Sequence, residues 1–491
     1  MSKTFVFASI FFCVQQIEHT GFLFSLLYFA FLILAVVAFN VAGGFTRISG
    51  AYIFWYSTLI VIFGVTWKAV VGEAADSNLY TPLLDISLYT ASMVMLLLVT
   101  LLNKKIDFRS MGVGGGFSTG EFNYTGAGLG CLIVWYAIIY ADMLFGQAPG
   151  GLVSALNQVN VFGLLGLILG TIGAIKDSGG RRSTNWITII GFGYFGYLGV
   201  ASFSKQAMLT PIICWVVGAF YSRLKVRSVH VVAAVVMVVL SFGFVSRLSA
   251  SRDLAEGLDY PQRLRLVIYL TTHWSVLEAH VKDHEEMSSE NGVGEWYDTP
   301  QGSLVERLSM IPPDDALVAY SEKGHYEGMA PVEQYFSNVL PHFVRPDKQS
   351  TYSGNMYAHE MGYGLSADDT TTGISFSPVA EAYHCEGWGG IFWLLPVIWI
   401  MLFSSVDFIV GDMVKYPWGM MVVVWFAHVV PEQLLLGMIY FLAYGNFGML
   451  LAIIGVTRIA PILGALFMGR TVSPPSRRMG RVGPILTRSQ A

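Results

Sequence analysis

Charged residues are scarce in this chain of 491 residues, in which Asp, Glu, Lys and Arg together contribute 13%. An average soluble protein carries about 25% of these residues. Hydrophobic residues make up 54% instead, and long apolar runs recur along most of the sequence. Runs of about 20 apolar residues cross the hydrocarbon core of a bilayer as helices. The composition therefore excludes an ordinary soluble enzyme and predicts an all-α polytopic membrane protein.

Cysteine and basic charge are also limited. The four cysteines are scattered and match neither a disulfide framework nor a Cys-x-x-Cys zinc pattern. The net charge is −4, without the basic stripe that nucleic-acid binding requires. His273, His280 and His284 recur on one face of a predicted helix, and we interpret them as solvated histidines rather than metal ligands. We therefore expect no nucleic-acid partner, no metal and no cofactor.

The apolar runs predict about twelve transmembrane helices and one large, mostly helical extracytoplasmic loop. The first is the short segment 5–14, interpreted as a membrane segment because no signal-peptide cleavage site follows it. Two helices lie within residues 417–468, with the turn between them at either 431–433 or 444–446. The others are predicted near residues 22–42, 51–67, 82–102, 127–145, 153–175, 185–203, 207–222, 229–246 and 387–409.

Charge is distributed unevenly and divides the chain into four parts. Most acidic residues lie in a loop domain, 247–384, between an N-terminal transmembrane bundle, 1–246, and C-terminal transmembrane helices, 385–468. A basic tail, 469–491, follows. Lysines and arginines cluster in alternate short loops and in the tail, and the positive-inside rule makes that side cytoplasmic. The C-terminus is therefore predicted to be cytoplasmic and the loop domain external.

Five basic residues lie near the points where the predicted external loops meet the membrane: Lys205, Arg247, Arg252, Arg345 and Lys348. Lys205 stands beside two serines in a tight connection between helices, where it either extends to the lipid headgroups or binds an anionic headgroup. Guanidinium groups bind phosphate oxygens in a bidentate manner, so the arginines are candidates for holding a pyrophosphate. Salt bridges with the many carboxylates of the loop domain are the alternative.

Three further polar residues precede the glycine-rich start of the next apolar segment. They are Glu381, Tyr383 and His384. A carboxylate next to an imidazole at the bilayer edge can accept a proton near neutral pH. The same two groups can equally form a structural hydrogen-bonded pair, and the sequence leaves both interpretations open.

Residues 191–196 contain the G-x-G-x-x-G pattern of dinucleotide-binding loops. The pattern lies in the middle of a predicted membrane helix and no strand precedes it, so the dinucleotide interpretation fails on context. Small residues instead allow close packing of helices in membranes. We expect that role for Gly191, Gly193 and Gly196, and also for Gly166 and Gly170.

Three stretches near the predicted external face share patterns with one known family. Residues 203–206, Phe-Ser-Lys-Gln, are close to a Gly-Ser-Lys/Arg turn. Residues 340–348 are close to Pro-Arg-x-x-x-Pro-x-Lys-Pro, although His342 and Gln349 replace its first arginine and last proline. Residues 371–390 follow a Ser…Glu-x-Tyr…Gly-x-x-Gly pattern. Together these stretches resemble the bacterial O-antigen polymerase (Wzy-like) family, the oligosaccharide repeat-unit polymerases.

The resemblance implies a membrane glycosyltransferase at the outer face of the bacterial inner (plasma) membrane. It would transfer a glycan from undecaprenyl pyrophosphate to the sugar hydroxyl of another lipid-linked repeat unit, building a surface polysaccharide or exopolysaccharide. The five cations would bind the pyrophosphate, with Arg345 substituting for the missing arginine at His342. Glu381 or His384 would be the base, and Tyr383 would orient or stack on a sugar. The lipid bilayer and a chain-length regulator are expected partners.

Two alternatives stay open at this point. An O-antigen ligase would use the same donor with a different acceptor. A transporter or flippase of lipid-linked glycans should contain charged or broken helices at mid-membrane. Acidic residues within the apolar regions are few, among them Asp85, Asp142 and Glu432, and the sequence shows no clear inverted repeat. The sequence therefore favours the enzyme.

Overall fold

The computed structural model of the chain describes residues 2–111, 122–145, 156, 160–255, 257–290, 297, 309–340, 353–362 and 374–468. Every regular element in these ranges is helical, and none of them contains a strand, which confirms the all-α prediction. The principal helices are, in chain order, α1 (Ser2–Ile17), α2 (Phe22–Ala42), α3 (Ile48–Val71), α4 (Pro82–Ile106), α5 (Tyr124–Phe145), α6 (Phe162–Asp177), α7 (Trp186–Ala201), α8 (Lys205–Tyr221), α9 (Ser228–Leu240), α10 (Tyr260–Thr272), α11 (Trp274–Glu290), α12 (Ile311–Glu322), α13 (Ala330–Asn338), α14 (Ser353–Met361), α15 (Pro378–Glu386), α16 (Gly390–Val410), α17 (Pro417–Glu432) and α18 (Leu434–Phe467).

Six of these helices are long and apolar enough to cross a membrane: α2, α3, α4, α5, α16 and α18. They indicate a membrane protein, as the composition predicts. Other apolar helices lie near predicted positions but are shorter. Helix α7, with 16 residues, is about 24 Å long, whereas the hydrocarbon core measures about 30 Å. Length and apolarity therefore support six spans in the described part of the chain, and a total near twelve stays a prediction.

The turn between the last two helices lies at the first of the two predicted positions. Helix α17 ends at Glu432, and Leu434, which begins α18, has a left-handed φ of 55°. Residues 444–446 lie inside α18, which passes through them by way of the π-helical turn Phe441–Gly445. The chain therefore turns next to Glu432, and α18 continues as one helix of 34 residues.

Small residues hold α5 and α18 close together. Gly126 and Gly130 on α5 face Gly464 and Ala460 on α18, and both pairs have the same four-residue spacing. A Cβ atom added at Gly130 would overlap the carbonyl oxygen of Ala460. The two backbones thus approach each other directly, which is how helices associate where lipid removes the hydrophobic driving force between them.

The other packing glycines are confirmed in part. Gly166 packs against α5, Gly170 packs against α7, and Gly191 packs against α6. A Cβ atom at Gly193 or Gly196, in contrast, would meet no atom of the described residues within 4 Å. Close packing therefore explains only the first glycine of the G-x-G-x-x-G pattern, and the prediction for the other two is wrong.

A buried ionic cluster joins three helices at one end of the bundle. Arg47, which precedes α3, contacts Asp107 at 2.6 Å and Asp407 of α16 at 3.2 Å. Asn103 of α4 donates to Asp407 at 2.8 Å, and the Ile48 backbone N–H donates to its other oxygen at 3.3 Å. The Asp407 side chain is fully buried. Removing one partner from such a cluster leaves an unpaired buried charge, which typically costs about 3–5 kcal/mol.

The loop-domain helices lie at the opposite end of α3. Asp315 of α12 accepts hydrogen bonds from the backbone N–H groups of Tyr80 and Thr81, each at 2.7 Å, in the connection between α3 and α4. Tyr297 donates to the carbonyl oxygen of Ala75 in the same connection at 2.9 Å. The loop domain therefore covers the end of the bundle that is remote from Arg47, and the candidate functional residues lie there.

Candidate functional site

Helix α15 carries three of the predicted site residues and begins with a strong capping signal. Ser377 is the N-cap, and its hydroxyl accepts a hydrogen bond from the Ala380 backbone N–H at 3.3 Å. Pro378 follows at the first helical position, where its missing N–H is harmless. The Ser377 backbone N–H donates to the buried Asp314 of α12 at 2.7 Å. Burial raises the pKa of Asp314 to about 7. The hydrogen bond to Asp314 fixes the start of α15 against α12.

Glu381 is fully buried, and three donors surround its carboxylate. Tyr335 of α13 donates to one oxygen, and Tyr357 of α14 donates to the same oxygen at 3.0 Å. The Leu435 backbone N–H, in the first turn of α18, donates to the other oxygen at 2.5 Å. Burial raises the pKa of Glu381 to about 7, and the three hydrogen bonds act in the opposite direction. Glu381 therefore connects the loop domain to the turn between α17 and α18.

His384 is also fully buried but has different partners. Its Nδ1 atom lies 2.9 Å from the Ser321 hydroxyl, which itself donates to the carbonyl oxygen of Leu317 at 2.8 Å. A hydroxyl has one proton, so Ser321 accepts from His384, and Nδ1 carries the hydrogen. Nε2 has no hydrogen-bond partner within the described ranges. Burial lowers the pKa of His384 to about 4, so the ring is neutral at pH 7.

Tyr383 belongs to an aromatic group at the rim of the loop domain. Its hydroxyl donates to Glu322 at 2.6 Å, and the Tyr326 hydroxyl donates to the same carboxylate oxygen at 2.8 Å. These two hydrogen bonds lower the pKa of Glu322. The Tyr383 ring packs edge-on against the rings of Tyr326 and Trp388, both of which are exposed. Exposed aromatic faces of this kind offer the flat apolar surface on which a sugar ring can stack.

Lys205 lies at the N-terminus of α8. Ser204 is the N-cap, and its hydroxyl accepts from the Ala207 backbone N–H at 3.3 Å. Lys205 interacts electrostatically with Glu432 at the end of α17, and Glu432 also accepts from His428 at 2.8 Å. The Lys205 side chain thus lies near the turn between α17 and α18, which also contacts Glu381.

Arg252 approaches the same connection from the start of the loop domain. Its guanidinium donates to the carbonyl oxygen of Phe203 at 3.4 Å, two residues before Lys205, and its side chain is exposed. Arg247 instead donates to Gly243 at 3.0 Å, and it lies over the Trp274 ring of α11 at 5.6 Å. The structure therefore places Arg252 against the connection that ends at Lys205 and directs Arg247 towards α11. Arg345 and Lys348 lie outside the described residues.

One group of possible metal ligands in the loop domain was not predicted. Glu327, Glu360 and His384 place their ligand atoms within 4.8 Å of one another. They lie far apart in the sequence, without the short spacing typical of metal-binding motifs, so the sequence alone does not predict this group. The histidines that the sequence places on one helix face have other partners. His273 contacts the Tyr269 carbonyl oxygen, and His280 contacts Asp253.

Comparison with known proteins found no relative: no protein-family model, no curated protein and no solved structure matches this chain. The chemistry of the site is therefore argued from its geometry. One cation begins a helix and a second contacts the connection before it, exposed aromatic rings lie at the rim, and a buried carboxylate joins α13 and α14 to α18.

Proposed function

We propose that the chain is a membrane glycosyltransferase that uses a lipid-linked pyrophosphate as donor. The proposed reaction is the one implied by the resemblance to O-antigen polymerases, the joining of undecaprenyl-pyrophosphate-linked repeat units into a surface polysaccharide. The observation that carries the proposal is the position of Arg252, whose guanidinium contacts the connection that ends at Lys205. A guanidinium that is remote in sequence thereby lies two residues from a second cation in the chain.

The chemistry of this point suits a pyrophosphate. The first backbone N–H groups of α8 and the positive end of its dipole attract anions. The Lys205 ammonium and the Arg252 guanidinium add two full positive charges there. A guanidinium can bind two phosphate oxygens at once, and an ammonium supplies a compact point charge. Together they would neutralise the charge on a departing lipid pyrophosphate.

The acceptor side of the proposed reaction is assigned to α15. Glu381 contacts Leu435 at the turn where Lys205 approaches Glu432, so α15 and Lys205 both approach the turn between α17 and α18. Tyr383 is itself buried and packs against the exposed rings of Tyr326 and Trp388, which would hold a sugar ring of the repeat unit.

The proposed transfer exchanges one bond for another. The acceptor hydroxyl oxygen bonds to the anomeric carbon of the donor, and the bond from that carbon to the pyrophosphate breaks. The lipid pyrophosphate leaves with the electron pair, and the hydroxyl proton passes to a base, for which Glu381 and His384 are the candidates. Charge neutralisation and positioning supply most of the acceleration in reactions of this type.

The test is extension of a purified lipid-pyrophosphate-linked repeat unit by the purified protein. We expect Lys205→Ala and Arg252→Ala each to lose about 2–4 kcal/mol of transition-state stabilisation, or ~30–1000-fold in rate. Arg345→Ala should behave similarly, and Arg345→Lys should not fully restore the rate, because an ammonium cannot bind in a bidentate manner.

Lys415→Ala is the matched control, because Lys415 is exposed and lies at the Arg47 end of the bundle. It should extend chains at the wild-type rate and share the melting temperature of the active-site variants. Normal polymer from Lys205→Ala and Arg252→Ala would show that these cations are structural. Transfer to a lipopolysaccharide core without chain extension would identify a ligase instead.

A further inference from the structure

Glu327, Glu360 and His384 form a compact group on three different elements of the loop domain. Glu327 lies in the connection after α12, Glu360 lies on α14, and His384 lies on α15; their ligand atoms are within 4.8 Å of one another. We propose that this group binds one divalent transition-metal ion, with Zn²⁺ as its best representative. The inference is independent of the proposed glycosyl transfer, because it concerns binding alone.

The hydrogen bonding of His384 leaves one nitrogen of its imidazole available to bind a metal ion. Ser321 donates its only proton to Leu317 and therefore accepts from Nδ1 of His384. This arrangement fixes the tautomer, and the lone pair of the ring is on Nε2. Nε2 is buried and has no hydrogen-bond partner in the described ranges, so it is the ring nitrogen available to bind an ion in this group. A histidine ligand whose other nitrogen donates to a neighbouring oxygen is the usual arrangement in metal sites.

Backbone contacts hold the three ligands in place. The Glu327 backbone N–H donates to the carbonyl oxygen of His384 itself at 3.1 Å, and the next N–H, of Gly328, donates to Cys385 at 3.0 Å. Helices α14 and α15 are joined one turn earlier by the hydrogen bond from Tyr357 to Glu381. The Tyr357 ring also packs edge-on against the His384 ring, with centroids 5.0 Å apart. The ligand geometry is therefore set by the fold and not by the ion.

The carboxylates of Glu327 and Glu360 interact directly with each other, so either a shared proton or a cation must lie between them. Two carboxylates face each other, and neither forms an ion pair with a lysine or arginine among the described residues. His325, an exposed histidine, interacts electrostatically with Glu360 and His384. Adjacent carboxylates repel when both are ionised. A divalent ion between them would remove this repulsion.

The donor set indicates which ions fit. One imidazole nitrogen and two carboxylate oxygens match the ligands of Zn²⁺ and related transition metals, whereas Mg²⁺ and Ca²⁺ prefer oxygen alone. Glu360 is exposed, so the ion can enter from solvent and keep a fourth position for water. With Nε2 bound to a metal, His384 cannot be the proton acceptor of the proposed transfer, and Glu381 becomes the remaining candidate.

The experiment measures Zn²⁺ binding to the full-length protein in lipid nanodiscs after chelator treatment and dialysis. We expect one Zn²⁺ per chain, titrated against a fluorescent chelator and checked by elemental mass spectrometry. Glu327→Gln and Glu360→Gln should each weaken binding at least about tenfold. Ser321→Ala should weaken it roughly 10–100-fold, because it removes the group that orients the imidazole. The control is Glu333→Gln, which removes the same charge from an exposed site on α13.

The outcomes separate binding from folding and from activity. Glu360 is exposed, so its glutamine variant should keep the wild-type melting temperature while binding is lost. No stoichiometric Zn²⁺, or equal affinity in the wild type and in both glutamine variants, would overturn the proposal. Lys205→Ala should bind Zn²⁺ normally, so a failure of the proposed transfer and a failure of this metal site are distinguishable.

Discussion

At the scale of single residues, Glu381 joins the loop domain to a membrane helix. It receives hydrogen bonds from two tyrosines of the loop domain and from the Leu435 N–H of a membrane helix. That N–H belongs to the first turn of α18 and has no partner within its own helix. A buried carboxylate therefore satisfies a helix end that would otherwise be unpaired.

Two substitutions at Glu381 separate a chemical role from a structural one. In Glu381→Gln the amide oxygen can accept from Leu435, and the NH₂ group can donate to the hydroxyls of Tyr335 and Tyr357, so the fold should persist. Glu381→Ala leaves all three groups unpaired, and each buried unpaired group costs roughly 1–3 kcal/mol. We expect the alanine variant to melt well below the wild type in detergent, and the glutamine variant to melt close to it.

Activity then identifies the base. A correctly placed base contributes ~10²–10⁴-fold, so Glu381→Gln should slow chain extension at least about tenfold without weakening donor binding. Burial raises the pKa of Glu381 to about 7. A base must be deprotonated, so the wild-type rate should rise as the pH increases through about 7. Full activity of Glu381→Gln with a flat pH profile would leave Glu381 as a positioning residue only.

Local sequence could identify Glu381 but not the residues around it. Glu381 and His384 lie in a short motif next to a capped helix start, and both are visible in the sequence. Tyr335 and Tyr357 lie 46 and 24 residues before Glu381 and belong to short helices with no distinctive pattern. Contacts between separate helices depend on how the helices pack, which no local spacing encodes.

At the scale of elements, the crossing of α5 and α18 depends on residues without side chains. Gly130→Ala places a methyl group on the carbonyl oxygen of Ala460. The methyl carbon is bonded to Cα and the oxygen to a backbone carbon, so neither can move without its backbone. Gly193→Ala is the matched control, because it adds the same methyl group inside a helix where nothing lies within 4 Å. Each substitution also gains about 0.5–1 kcal/mol in helix propensity, so the difference between them isolates packing.

The two variants should differ clearly in thermal stability. Overpacking typically costs about 1–3 kcal/mol, so we expect Gly130→Ala to lower the melting temperature of the purified protein by several degrees. Gly193→Ala should match or slightly exceed the wild type. Equal melting temperatures for the two variants would mean that α5 and α18 are further apart than this crossing requires.

Sequence patterns located the helices better than they located helix partners. Apolar length placed α2, α4 and α16 within a few residues, because a helix needs only its own sequence to satisfy its backbone in lipid. The G-x-G-x-x-G pattern indicated packing at three glycines, but among the described residues only Gly191 has a close neighbour. The other helices determine which side of a membrane helix faces protein. The sequence of a uniformly apolar helix does not distinguish that side from the lipid-facing side.

At the scale of the whole molecule, the two ends of the bundle differ in character. One end holds the Arg47 cluster, and the other is covered by the acidic loop domain through Asp315. We expect topology reporters fused after Arg182 and after Arg227 to be cytoplasmic, and a reporter near Gly292 to be external. The physical reason is the excess of lysine and arginine in alternate short loops. A cytoplasmic signal near Gly292 would contradict the proposed function, which needs the loop domain on the outer face.

The Arg47 cluster also has a consequence for the order in which the protein is made. Arg47 and Asp407 are separated by 360 residues, yet each is buried against the other. At about 5–20 residues per second, the arginine leaves the ribosome roughly 20–70 s before its aspartate exists. During that interval Asp107 and water must serve as its partners. The first four helices are therefore in the membrane before the ion pair between Arg47 and Asp407 can form. Only when α16 enters the membrane does the early bundle acquire its final form.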